Sequence, residues 1–225
     1  GVRVSPIEKL ELDNNRLSSL PAEIGLFAPT LTSLSVVGND LSELPSAIAM
    51  LQNLGEVWAS NNRITRITAG LCRIHRLARL DLSDNMITAL PAEWFDSAGS
   101  RQSPDLEALE LHGNAIAELP ANFFAVMKSL EELDLGNNEL RALPPSISQA
   151  SRLAALFVGG NQLTEVPQVV CQLDSLGIID ISHNKIKMLP DFSLARRLQI
   201  LNASYNPLVL APLVLPETLT ELYLD

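Results

Sequence analysis

The chain has 225 residues, 47% hydrophobic but only 4% aromatic, and its 16 Lys and Arg against 26 Asp and Glu give a net charge of −10. That balance argues against nucleic acid as a partner, because phosphate-backbone binding relies on Lys and Arg, and it favours a protein partner that is basic or carries a basic patch. There is no run of about 18 apolar residues for a membrane span, and the opening GVRVSPIEKL is too short and too polar for a signal peptide, so no membrane is expected either.

Along the chain one frame recurs, LxxLxLxxNxLxxLP or a near variant. It sets Asn15, Asn39, Asn62, Asn85, Asn114, Asn138, Asn161, Asn184 and Asn206 at intervals of 24, 23, 23, 29, 24, 23, 23 and 22 residues. The frame reads LARLDLSDNMITALP from Leu77, LEELDLGNNELRALP from Leu130 and LGIIDISHNKIKMLP from Leu176. Within LxxLxLxxN the leucines alternate with variable residues at period two, which predicts a short β-strand with one buried face. Leu80 with Leu82, Leu109 with Leu111 and Leu133 with Leu135 point into the core, and the residues between them point out. One strand per frame, always returning in the same sense, predicts a parallel sheet along the whole stack.

The asparagine then turns the chain away from the sheet. Its amide offers two donors and two acceptor sites, enough to satisfy the backbone of its own turn and of the next one. An apolar residue there would leave buried backbone groups unpaired, at about 1–3 kcal/mol each. All nine asparagines are therefore expected to be structural, as a ladder. The Leu-Pro pairs that follow start the return path, since proline removes a donor and fixes φ. Stretches such as PSAIAMLQNL can add a helical turn or two on the far side, which is wider than the strands, so the sheet should lie on the inside of a curve.

Two frames depart from the pattern. The third has Thr68 where proline is expected. Between Leu90 and Leu106 the return path lengthens to 16 residues around SAGSRQSP, which predicts an exposed loop over about 96–105, and long loops are where docking or modification sites collect.

Cys72 and Cys171 occupy the same slot in the third and seventh frames. Four frames stacked at about 4.8 Å put them roughly 19 Å apart. A disulfide needs Cα atoms within about 7 Å, so the two cannot pair. Free thiols and the lack of cysteine-clustered caps point to a reducing compartment, and a cytoplasmic location is expected. The sequon Asn202-Ala203-Ser204 falls on a predicted strand, where a glycan would block the inner face.

A period of about 20–29 residues with this spelling marks a leucine-rich repeat, and the chain resembles leucine-rich-repeat proteins over nearly all its length. The LPxxI endings at Pro21-Ile24 and Pro45-Ile48 resemble intracellular families such as the plant Ras-group-related repeats and the animal Ras-signalling scaffolds. The endings LPAEWFDS and LPANFFAVMKSL, with Phe95, Phe123 and Phe124, look closer to the 24-residue type common outside cells. The resemblance implies an α/β leucine-rich-repeat solenoid, curved, with its parallel β-sheet on the concave face and short helical or irregular convex segments. Residues 1–225 read as one such domain of nine full repeats and a truncated tenth. Repeat ten stops after Leu222, Tyr223, Leu224 and Asp225 with no polar cap, as a piece of a longer chain would.

The family implies a binding scaffold and carries over no catalytic residue, so no enzyme activity is expected. The three histidines form no constellation: His112 and His183 lie near the inner face roughly 14 Å apart, and His75 is on the return path. There is no phosphate loop, CxxC pair or nucleophile elbow, and neither a metal nor any other cofactor is expected.

Two outward columns define the inner face. The central one runs Glu11, Ser35, Trp58, Asp81, Glu110, Asp134, Phe157, Asp180, Asn202, Tyr223. The one before it runs Lys9, Ser33, Glu56, Arg79, Ala108, Glu132, Ala155, Ile178, Ile200, Glu221. Together the two columns hold eight carboxylates against Lys9 and Arg79, and such a field speeds and aligns a basic partner. Trp58 and Phe157 are the exceptions, since a monomer gains nothing from large aromatics in water while aromatic anchors dominate many interfaces. The expected partner-binding set is Trp58, Phe157, Asp81, Glu110, Asp134, Asp180, Ile178 and Tyr223. This describes a protein–protein interaction scaffold for signalling. The alternatives are a regulatory or substrate-recruiting segment of a larger phosphatase, kinase, GTPase or ubiquitin ligase, and an extracellular recognition domain. Oligomeric state is not legible.

Overall fold

The structure is a computed structural model that describes residues 6–95, 105–210 and 214–225. The expected long loop lies almost wholly outside the described residues. Ten three-residue strands, β1 (Lys9–Glu11), β2 (Ser33–Ser35), β3 (Glu56–Trp58), β4 (Arg79–Asp81), β5 (Ala108–Glu110), β6 (Glu132–Asp134), β7 (Ala155–Phe157), β8 (Ile178–Asp180), β9 (Ile200–Asn202) and β10 (Glu221–Tyr223), form one parallel sheet in chain order. Among the described residues the return paths make short 3-10 turns, as at Ser46–Met50 and Gln168–Gln172, and one α-helical turn, α1 (Phe123–Val126). The result is a curved solenoid with the sheet on its concave side.

The leucine alternation positions these strands. The middle residue of each interior strand is in the core: Leu34, Val57, Leu109, Leu133, Leu156, Ile179 and Leu201 are all fully buried. The residue two further on, such as Leu82 or Leu135, is equally buried. Prolines before the 3-10 turns hold φ between −57 and −69°. Thr68 adopts the same backbone at φ −67°, so the third return path turns as the others do without its proline.

On the convex side Trp94, Phe95, Phe123 and Phe124 pack in a chain, with ring centroids 6.5, 5.7 and 4.8 Å apart. All four are buried, so the aromatic endings that resemble the 24-residue type form part of the core.

The asparagine ladder ties each repeat to the one before it rather than to the next. Oδ1 accepts the N–H two positions past the preceding ladder asparagine: Leu17 to Asn39 at 3.0 Å, Leu140 to Asn161 at 2.9 Å, Leu163 to Asn184 at 2.8 Å. Asn138 Nδ2 donates to Leu111 O at 2.9 Å in the preceding repeat, and to Leu135 O and Gly136 O, each at 3.1 Å, in its own. Asn15 departs from the expectation of a buried ladder. It is exposed and bonds only its own turn, through Leu12 O and Asp13 O, because no preceding frame among the described residues lies under it.

Candidate binding face

The sheet register brings both predicted columns together residue for residue. Trp58, Asp81, Glu110, Asp134, Phe157 and Asp180 are consecutive partners across β3 to β8, followed by Asn202 and Tyr223. Arg79, Ala108, Glu132, Ala155, Ile178 and Ile200 are consecutive in the column beside it. Trp58, Phe157, Ile178, Glu110, Asp134 and Asp180 are half-buried on this face. Tyr223 is 46% exposed, and its hydroxyl donates to Glu221 Oε2 at 2.8 Å.

The carboxylates do not all stand in the same environment. Asp81 is only 8% exposed, although it stands in an outward-pointing column. It lies in register between Trp58 and Glu110, and its Oδ1 accepts the Ser83 N–H at 2.8 Å. Asp134 accepts the Gly136 N–H and Asp180 the Ser182 N–H, both at 2.8 Å, and Asp180 Oδ2 also accepts from Asn202 Nδ2 at 3.0 Å. The aspartates therefore brace the chain where it leaves its strand, much as an Asx-turn does. Glu110 has a longer side chain and makes no such bond among the described residues.

Crowding shows in the proton affinities. Burial raises the Glu110 carboxyl above its ordinary range, and the charges of Asp81, Glu132 and Asp134 push it further, with Arg79 opposing. Burial likewise raises Asp134, against the lowering effects of the Gly136 N–H and of His112. His112 Nδ1 is 3.7 Å from Asp134 Oδ1, and its Nε2 is 3.1 Å from the Asn137 amide nitrogen.

One feature escaped the sequence reading. The residue before each ladder asparagine has a positive φ, from 50 to 68°: Asn14, Gly38, Asn61, Asp84, Gly113, Asn137, Gly160, His183 and Tyr205. Seven are Gly, Asn or Asp, the residues that tolerate this region. His183 and Tyr205 stack on one another with centroids 4.1 Å apart and planes 13° apart, both exposed on the rim. Aligning this column by eye would have shown the Gly/Asn/Asp signature and the two aromatic exceptions.

Cys72 and Cys171 are free and buried. Burial pushes the Cys171 thiol up to about 12 and raises Cys72 as well, so neither favours the reactive thiolate at neutral pH. Among the described residues no three His, Cys, Asp or Glu side chains are placed to hold a metal ion, and no helix is long and apolar enough to cross a membrane.

Comparison with known proteins agrees with this architecture. A family profile described as leucine rich repeat matches residues 104–163. YopM from Yersinia enterocolitica is 30% identical, with a TM-score of 0.74 over 98% of this chain and 42% of YopM. A leucine-rich-repeat protein of Leptospira interrogans is 25% identical, with a TM-score of 0.78 over 88% of this chain and 55% of that one. Mouse leucine-rich repeat serine/threonine-protein kinase 1 is 30% identical over 105 residues, 43% of this chain but only 5% of the kinase. The repeating frame, the ladder, the ten-stranded sheet and these likenesses place the chain among the leucine-rich-repeat proteins.

Proposed function

We propose that the chain is a cytoplasmic protein-interaction scaffold whose concave sheet docks a protein partner carrying a basic patch. The observation that carries this reading is the central column from β3 to β7. There two half-buried aromatics, Trp58 and Phe157, bracket three carboxylates, with Arg79 the one cation in either column over those five strands. The aromatics supply rigid apolar anchors, and the crowded carboxylates gain from a cation that relieves their mutual repulsion. Buried free thiols favour the reducing compartment. Surface, charge and aromatic anchors are what binding needs, and this face supplies all three.

Affinity capture from source-cell lysate tests this, comparing wild type with a Trp58→Ala/Phe157→Ala variant shown by circular dichroism to be folded. The reading expects one partner to be lost with the aromatics, and its binding to wild type to weaken as salt rises. Unchanged capture by the variant contradicts it.

A second reading, a regulatory repeat segment of a larger signalling enzyme, is favoured by the match to the mouse kinase, of which the chain spans a twentieth. The size of the native polypeptide in an immunoblot separates the two.

A further inference from the structure

The two columns change character at one step of the sheet. Between β6 and β7 the register pairs are Glu132 with Ala155 and Asp134 with Phe157, so both columns pass from carboxylate to apolar together. On the β4–β6 side the outward residues include Asp81, Glu110, Glu132 and Asp134. On the other side Ala155, Ile178 and Ile200 continue one column beside Phe157, all half-buried, while the central column goes on to Asp180 and Asn202. Asp180 is the one carboxylate in either column over β7–β9, and it already accepts bonds from the Ser182 N–H and Asn202 Nδ2. Each strand presents only two outward positions, so segregation of this kind has no room along a strand and exists only across strands, along the solenoid axis.

We infer that the partner docks through a single segment whose basic and apolar residues are separated along its length. Its basic end lies over β4–β6 and its apolar end over β7–β9. The inference rests on the concave sheet being the docking face and adds the order and direction of what binds there. The centres of the two halves are three strands apart, roughly 14 Å. An extended segment crosses that distance in about four or five residues and a helix in about nine or ten. A segment laid the other way sets arginines on Ile178 and Ile200, where Asp180 is the one carboxylate within reach, and leucines on Glu110, Glu132 and Asp134, which covers the larger carboxylate group with no cation to offset it. Charge complementarity thus selects the orientation, and apolar burial at the far end holds it.

The test uses two synthetic peptides of identical composition, one with arginines in a block followed by leucines in a block, the other with the two alternated. Binding is followed by fluorescence anisotropy, and a benzophenone at either end of the block peptide is cross-linked and mapped by mass spectrometry. The block isomer is expected to bind at least tenfold more tightly. Its leucine end should label the β7–β9 repeats and its arginine end the β4–β6 repeats. In Ile178→Ser/Ile200→Ser the advantage of the block isomer should disappear, while the salt dependence remains. Equal affinity of the isomers, no measurable binding of the block isomer, or labelling of the sheet without end preference overturns the inference and leaves the docking reading standing. Labelling confined to the convex side, unaffected by Trp58→Ala/Phe157→Ala, overturns the docking reading itself.

Discussion

Two columns of this solenoid repeat with the same period and obey opposite rules. The ladder column is asparagine in all nine frames, and in its eight inner members each amide bonds the preceding repeat. The central concave column, a few residues upstream, holds Glu, Ser, Trp, Asp, Phe, Asn and Tyr in half-exposed or exposed places, with Asp81 the buried exception. The ladder residue is fixed because one geometry of donors and acceptors recurs at every step and only a primary amide fills it. The concave residue varies because no one residue type is required there: Asp or Asn braces the outgoing chain in four repeats, while Trp58, Glu110 and Phe157 fill the same slot without that bond, which leaves their side chains free to match something outside the molecule.

The sharpest break in that contrast lies within the ladder. Asn138→Ala leaves the buried Ile116 N–H without its partner and removes one donor each from the Leu111, Leu135 and Gly136 carbonyls, which keep their bonds from Asn114, Asn161 and the Gly113 N–H. Thermal or urea unfolding should show a loss of about 2–3 kcal/mol, from one orphaned buried N–H and three weakened acceptors. Asn15→Ala, at an exposed turn that bonds only itself, should cost less than about 1 kcal/mol. Equal losses at the two sites would mean that the inter-repeat bonds do not carry the ladder.

Trp58→Ala/Phe157→Ala comes next. With both rings only half-buried, it should cost under about 2 kcal/mol in total by urea titration, although both residues are large. A loss comparable to that of Asn138→Ala would make these aromatics part of the core rather than of a binding face.

Smaller again is the carboxylate crowd. Glu110 and Asp134 have folded proton affinities raised above the ordinary range. An acid so raised contributes stability that is fully present below its unfolded pKa and is lost as pH rises through its folded pKa. The free protein is therefore penalised at neutral pH by these two groups. Glu110→Gln/Asp134→Asn should be more stable than wild type at pH 7, by less than about 1 kcal/mol given their partial exposure. The advantage should vanish below the ordinary carboxylate range. Melting curves against pH check the sign, and a variant less stable than wild type at pH 7 contradicts it.

The smallest effect is expected at Tyr205. Moving Tyr205→Asn relieves a left-handed backbone worth about 1–2 kcal/mol but forfeits the stack on His183, worth about 0.5–1.5 kcal/mol. The melting temperature should hardly move.

The legible part of the molecule was legible because strand stacking here is in register. Once Leu133 and Leu156 are assigned to the same inward slot, Asp134 must stand beside Phe157, and counting along the chain is enough. What the count cannot reach is how neighbouring side chains crowd one another. Asp81 is buried although it sits in an outward slot, and its flanking by Trp58 and Glu110 involves three repeats at once. The direction of the ladder was missed for a related reason: an amide has bonds to offer on both sides, and only the offset between turns decides which repeat receives them. His183 and Tyr205 stood in the sequence as two aromatic exceptions to the Gly/Asn/Asp column, but that they share its left-handed backbone and stack on one another is seen only in the structure.

The central claim, that the variable column serves recognition and the ladder serves folding, is tested most directly by carboxyl footprinting. Carbodiimide labelling of Asp and Glu would be mapped with the protein free and bound to its captured partner. The account predicts protection at Glu110, Glu132 and Asp134, with Glu43, Glu139 and Glu165 on the outgoing loops labelled as before. Protection of those loop carboxylates, with the concave ones still reactive, would contradict it.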